Sequence, residues 1–161
     1  MKRLTLLLLR HAEAEAAAPG MADMDRPLSA RGRAEALDAA GCVAAADLRI
    51  DAMLVSPALR TRETAIIVAA ELDIADQFRF DPALYLGEPD ALLPPLRSCA
   101  GQAQTVLMVG HNPGLSTLAR SFMGGRQRIE LRPAGLCRID FEYDSWRELQ
   151  PEAAVSFAVL R

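Results

Sequence analysis

The chain has 161 residues, 51% of them hydrophobic and 24% charged, a size and balance that fit one globular domain over residues 1–161 and exclude a disordered or fibrous chain. A domain of this size buries roughly 68–70% of its unfolded surface and needs no disulfide or metal staple. The net charge of −3 excludes general binding to nucleic acid or an anionic membrane surface, while leaving room for a local basic pocket.

Residues 4–9 form a nearly continuous apolar run, as expected of a strand covered on both faces. Lys2-Arg3 before it and the alanines at 16–18 after it faintly imitate a signal peptide. The run is too short for that, and Arg10-His11 ends it. Residues 19–27 are rich in Gly, Pro and Asp and read as a loop. A helix follows with Ser29 as N-cap and an apolar stripe of Leu37, Gly41, Ala44 and Leu48. Residues 52–55 are a second buried strand. Ser56-Pro57 then predicts a helix start, with Ser as cap and Pro at the first helical position, running through Ile66 to about Leu72.

Further on, residues 78–80 suit a short strand and 82–89 a loop. A helix fits between Asp90 and Cys99, although Pro94-Pro95 argues against it. Residues 105–109 are the third buried strand. Asn112-Pro113 repeats the pattern of cap then proline, and Leu115, Leu118, Ala119 and Phe122 line one helical face up to Gly124-Gly125. Residues 136–141 and 155–160 predict further strands, antiparallel, at the end of the sheet. The order implies an α/β three-layer sandwich, a mostly parallel central sheet with helices on both faces. No hydrophobic run is long enough to cross a membrane. Cys42, Cys99 and Cys137 are odd in number and widely spaced, which suits reduced thiols and a cytoplasmic protein.

The chain contains two histidines, His11 and His111, each just after a predicted buried strand. In open α/β sheets ligands gather at the carboxyl ends of strands, so both imidazoles are expected at one crevice. Arg10 precedes His11, and Arg60 falls in the first turn of the helix after residues 52–55. Two guanidinium forks beside two helix N-termini, marked by Ser56 and Asn112, suit a phosphoryl anion. Because 18 residues are basic and Lys2 is the one lysine, an arginine is informative here only by position; the plain alternative for Arg60 is a surface pair with Glu63. Two histidines without H-x-x-x-H spacing or a carboxylate cluster make a poor zinc site, and neither a metal nor another cofactor is expected.

The segment from Leu8 to Ala14, with its Arg10-His11 pair, resembles the Arg-His signature of the histidine phosphatase superfamily, also called phosphoglycerate mutase-like. Residues 27–32 (PLSARG), 56–65 (SPALRTRETA) and 109–113 (VGHNP) are similar to its other motifs, in the family's order. The short chain resembles the SixA-like branch, the phosphohistidine phosphatases, because the stretch between Thr64 and Thr105 leaves no room for a large lid. The resemblance implies a phosphoglycerate mutase-like fold and an enzyme. His11 would accept the phosphoryl group, and Arg10, Arg60, a protonated His111 and Asn112 would bind it. The expected partner is a phosphohistidine protein in signal transduction or, as the alternative, a small sugar-phosphate ester. A non-catalytic phosphate-binding module is the alternative of another class, and the chain is expected to be a monomer.

Two departures stand out. Ala12 occupies a position where many members carry Gly, and the proton donor of larger members has no evident counterpart. Glu13 and Glu88 are the candidates, each with the plainer alternative of a solvated carboxylate. The basic stretch 126–132 is expected to be solvated surface. No G-x-x-x-x-G-K or G-x-G-x-x-G pattern supports a nucleotide-binding domain.

Overall fold

The computed structural model describes residues 1–74, 78–99 and 103–161. The chain runs β1 (Lys2–Arg10), α1 (Ala30–Ala45), β2 (Ala52–Val55), α2 (Leu59–Glu71), β3 (Phe78–Phe80), α3 (Pro89–Arg97), β4 (Thr105–Gly110), α4 (Gly114–Phe122), β5 (Leu136–Tyr143) and β6 (Ser156–Val159). The strands form one six-stranded sheet in the order β3-β2-β4-β1-β5-β6. β1, β2, β3 and β4 run parallel to one another, while β5 pairs antiparallel with β1 and β6 antiparallel with β5 at one edge. This is the three-layer α/β sandwich expected from the order of elements.

Alternation along β1 divides the core in two. Leu4, Leu6 and Leu8 face α3 and α4 and meet Leu96, Leu115, Leu118 and Phe122. Leu7 and Leu9 face α1 and α2 and meet Ala36, Ala40, Val43, Ala65 and Val68. Both faces of the strand are dry, which is why its sequence shows no polar alternation.

The helix boundaries fall close to the expectations, but two local readings change. In α1 the buried positions are Gly32, Ala36, Ala39, Ala40 and Val43, whereas Leu37, Gly41 and Ala44 are exposed and Leu48 lies past the helix end. Small alanines face the core here because α1 packs directly on α2, and Ala65 and Ala69 there are equally small. The helix after β2 starts at Leu59 rather than Pro57, with Ala58 at its cap and no side-chain cap bond. In α3 the Pro94-Pro95 pair is tolerated in the last turn, where burial of Leu92, Leu93, Pro95 and Leu96 offsets the missing backbone bonds.

Ser29 caps α1 as expected: its Oγ accepts from Gly32 N at 3.0 Å. Gly32 is required there, since a Cβ would overlap the carbonyl oxygen of Glu13. Gly124 and Gly125 follow α4 with φ of 63° and 68°, the left-handed exit that glycine accepts most readily.

At the end of the sheet remote from the histidines, buried Asp140 gathers Thr5 Oγ1 (2.7 Å), Ser156 Oγ (2.7 Å), Arg3 Nη2 (2.9 Å) and Arg138 Nε (3.0 Å). Thr5 and Ser156 are its register partners on β1 and β6, so one carboxylate ties three strands together. Burial works to raise its pKa, but the bonds from Ser156, Thr5 and Arg138 outweigh it and hold the carboxyl below its ordinary value. A depressed folded pKa contributes stability that is present above the unfolded value and is lost as pH falls through the folded one. Asp140→Asn should therefore cost on the order of 2 kcal/mol at pH 7, about 4–8 °C in Tm. The gap from wild type should close as pH drops below about 4. Thermal melts of both proteins across pH check this.

Candidate active site

The site grows out of strand register. Leu9 pairs with Val109, Val109 pairs with Val55, and Arg10 pairs with Gly110, so β1, β4 and β2 end level with one another. His11 and His111 each follow the last pair of the β1–β4 ladder, and their ring centroids lie 5.2 Å apart. Ser56 directly follows β2, and Arg60 enters from the first turn of α2.

His11 is half-buried and fixed through its backbone, which donates to Gly110 O (3.0 Å) and accepts from Ala134 N (3.1 Å). Its Nδ1 lies 2.7 Å from Ala12 O. A carbonyl only accepts, so Nδ1 carries the proton and Nε2 holds a free lone pair. Ala12 is fully buried, and its N–H donates to Thr64 Oγ1 at 3.1 Å. Burial is the main force that lowers the His11 pKa, to about 4; the bond to Ala12 opposes it, and Arg60, Arg10 and Arg26 add to it.

His111 is buried, with Nε2 2.8 Å from Ser56 Oγ and Nδ1 3.4 Å from Arg60 Nη2. Guanidinium nitrogen only donates, so Nδ1 accepts and Nε2–H donates to the serine. Burial, then the neighbouring His11 and Arg60, push the His111 pKa down to about 3. His111, expected to be protonated, is thus held toward its neutral form, because little solvent reaches it and the Arg60 guanidinium stands beside it. Ser56, expected as a helix cap, instead fixes the tautomer of His111; its contact with Ala58 N is long, at 3.5 Å.

Arg10 donates Nη1 to Leu131 O at 3.1 Å, and Arg60 donates Nη1 to Asp23 O (2.8 Å) and Nη2 to Asp23 Oδ2 (3.0 Å). The Nε atoms of both arginines are buried without a partner among the described residues. Glu63 does not take Arg60; its carboxylate accepts from Leu28 N and Arg33. Asn112 turns its side chain inward, donating to Leu131 O at 2.6 Å and accepting from Ser116 N and Oγ.

Neither candidate proton donor contacts these groups among the described residues. Glu13 accepts from Ser29 Oγ at 2.9 Å, in a cleft of about 530 Å³ shared with Arg31, Arg132 and Arg161. Glu88 is exposed at the start of α3, beside a groove lined by Leu86, Pro89 and Pro113. The carboxylate that does reach the site is Asp23, from the loop read only as Gly-, Pro- and Asp-rich. Tyr85 donates to its Oδ2 at 2.5 Å and stands edge-on to His111 with centroids 5.6 Å apart. The bond from Tyr85 chiefly holds the Asp23 carboxyl well below the usual carboxylate range. In the basic stretch, Ile129 and Leu131 are buried, and the Leu131 carbonyl serves both Arg10 and Asn112. Among the described residues no cluster of three or more His, Cys, Asp or Glu is arranged to hold a metal ion, and no helix is long and apolar enough to cross a membrane.

Known proteins resemble this chain in sequence and fold. The family model described as the histidine phosphatase superfamily (branch 1) matches residues 6–85. An uncharacterised protein of Mycobacterium leprae is 30% identical over 151 residues, covering 88% of this chain and 91% of its own. A candidate phosphohistidine phosphatase SixA of Nakamurella multipartitia superposes with a TM-score of 0.83 at 26% identity, covering 98% of this chain and 95% of that one. Its counterpart from Agrobacterium tumefaciens gives 0.79, also at 26% identity, over 96% and 97%.

With two histidines in the chain, the electrostatics are directly observable. The imidazole ring protons of both residues should show no titration between about pH 5.5 and 8, with midpoints near the lowered values of about 4 and about 3. Proton NMR across pH reads this, and a midpoint near 6.5 for either ring would contradict the buried, cation-flanked site.

Proposed function

Because the chain belongs to the histidine phosphatase superfamily, we propose that it hydrolyses protein-borne phosphohistidine through a covalent phosphoryl intermediate on His11. The supporting observation is the pair of imidazoles 5.2 Å apart beside two arginines whose buried Nε–H groups have no partner among the described residues. Buried N–H donors left unpaired are costly, and a phosphoryl oxygen is a ligand that satisfies them.

The free lone pair on His11 Nε2 attacks phosphorus in line with the leaving group. The P–N bond to the substrate imidazole breaks, and that nitrogen takes a proton from solvent. Arg10 and Arg60 hold the equatorial oxygens, each charge-assisted bond contributing about 1.5–3 kcal/mol. The arriving dianion reverses the local field and favours a proton on His111 Nδ1, which then becomes a further donor. Water next attacks the phosphohistidine at residue 11, releasing inorganic phosphate and restoring the neutral ring. The Nδ1–H bond to Ala12 O holds that ring in one tautomer throughout.

The choice of phosphohistidine over a phosphate ester rests on the acid. Asp23 is held ionised and has no proton to give, while Glu13 and Glu88 lie elsewhere. An alkoxide needs a proton to leave; an imidazole leaves readily without a catalytic acid. Three free cysteines, two of them buried, support a reducing, cytoplasmic setting.

His11→Ala should form no acid-labile phosphoenzyme and show background turnover, and Arg10→Ala should lose about 10²–10³-fold in kcat/KM. Retained turnover without His11 overturns the nucleophile assignment. Assay of a phosphohistidine protein beside a panel of sugar phosphates tests the substrate class, and a higher kcat/KM on the esters would reject it.

A further inference from the structure

Asp23 is engaged by the site, yet the reaction above gives it no task. It opens the short turn Asp23–Asp25 in the loop between β1 and α1. Its carbonyl accepts Arg60 Nη1 at 2.8 Å, and its Oδ2 accepts Arg60 Nη2 at 3.0 Å. Tyr85 OH donates to the same Oδ2, and Arg26 Nη1 donates to Oδ1 at 3.1 Å. Arg26 is itself anchored, with Nε donating to Glu15 O at 2.8 Å.

A guanidinium is planar and presents two usable edges: the terminal edge of Nη1 and Nη2, and the side edge of Nε and Nη2. Asp23 occupies the terminal edge with its carbonyl and carboxylate. The side edge is not taken by Asp23, and its Nε is buried with no partner among the described residues. The second hydrogen of Nη2 lies on that edge, and Nη2 is 3.4 Å from His111 Nδ1, so the side edge faces His111.

We propose that Asp23 is a positioning residue that grips the terminal edge of Arg60 and so presents the side edge to the phosphoryl group. Tyr85 and Arg26 hold Asp23 in turn. The inference rests on the phosphatase reading. It assigns Asp23 neither proton transfer nor contact with substrate. A long arginine side chain fixed only through α2 must lose rotamer freedom when it binds an anion; one already gripped at its far end does not. The opposing idea is that Asp23 is an internal anion which the substrate must displace. It predicts the opposite sign, because removing the carboxylate would then free Arg60.

Orthovanadate, a phosphoryl mimic, is the probe, measured with the full chain alongside kcat and KM on a phosphohistidine protein. Asp23→Ala should weaken vanadate binding and lower kcat/KM by about tenfold. Asp23→Asn, which keeps an acceptor oxygen, should lose less. In an Arg60→Ala background, Asp23→Ala should cause no further loss, because its effect runs through that arginine. Tighter or unchanged vanadate binding in Asp23→Ala overturns the inference, as does a second tenfold loss on top of Arg60→Ala. A wild-type chain that binds no vanadate and forms no phosphoenzyme removes the phosphatase reading itself, and this inference with it.

Discussion

The parallel register between β1 and β4 is the constraint on which the site depends. Arg10 sits opposite Gly110, so the residues that follow, His11 and His111, leave the sheet at the same level and side by side. A slip of one residue would turn every side chain of β1 to the other face, burying Leu7 and Leu9 in the wrong half of the core. Hydrophobic packing on two faces thus sets the histidine separation, and chemistry inherits it. Val55 in the same row brings Ser56 to His111 and starts the chain toward Arg60.

That chain of dependence explains what was legible in the residues. The buried strands were plain because a short, nearly continuous apolar run has few other meanings, and both histidines follow such runs. Arg60 stood out by its place in the first helical turn after the second buried strand, since composition alone could not distinguish it among so many arginines, and the resemblance to the family motif agrees. Less visible was the face of α1. Leucine at 37 looked like core, yet alanines occupy the buried stripe, because contact with α2 selects for small size rather than for hydrophobicity. The periodicity was right and its phase was wrong.

The candidate acids show a different limit. Glu13 and Glu88 were the candidates in the absence of an evident counterpart to the proton donor of larger family members. Glu13 is drawn aside by Ser29, which caps α1, and Glu88 stays at the exposed start of α3. Asp23 gave no such signal, for a Gly-, Pro- and Asp-rich loop reads as a turn. Its meeting with Tyr85 from beyond β3 is a long-range event that no local pattern encodes.

The site is also held largely by main chain. Ala12 O fixes His11, Leu131 O fixes Arg10 and Asn112, and Asp23 O takes one hand of Arg60. No point substitution deletes a peptide oxygen. The segment around Leu131 is therefore free to drift in side-chain identity while its path is kept, whereas an inserted or deleted residue there would uncouple Arg10 and Asn112 together. Scanning with alanine would pass over these joints in silence, and loop length, more than composition, is the quantity this architecture preserves.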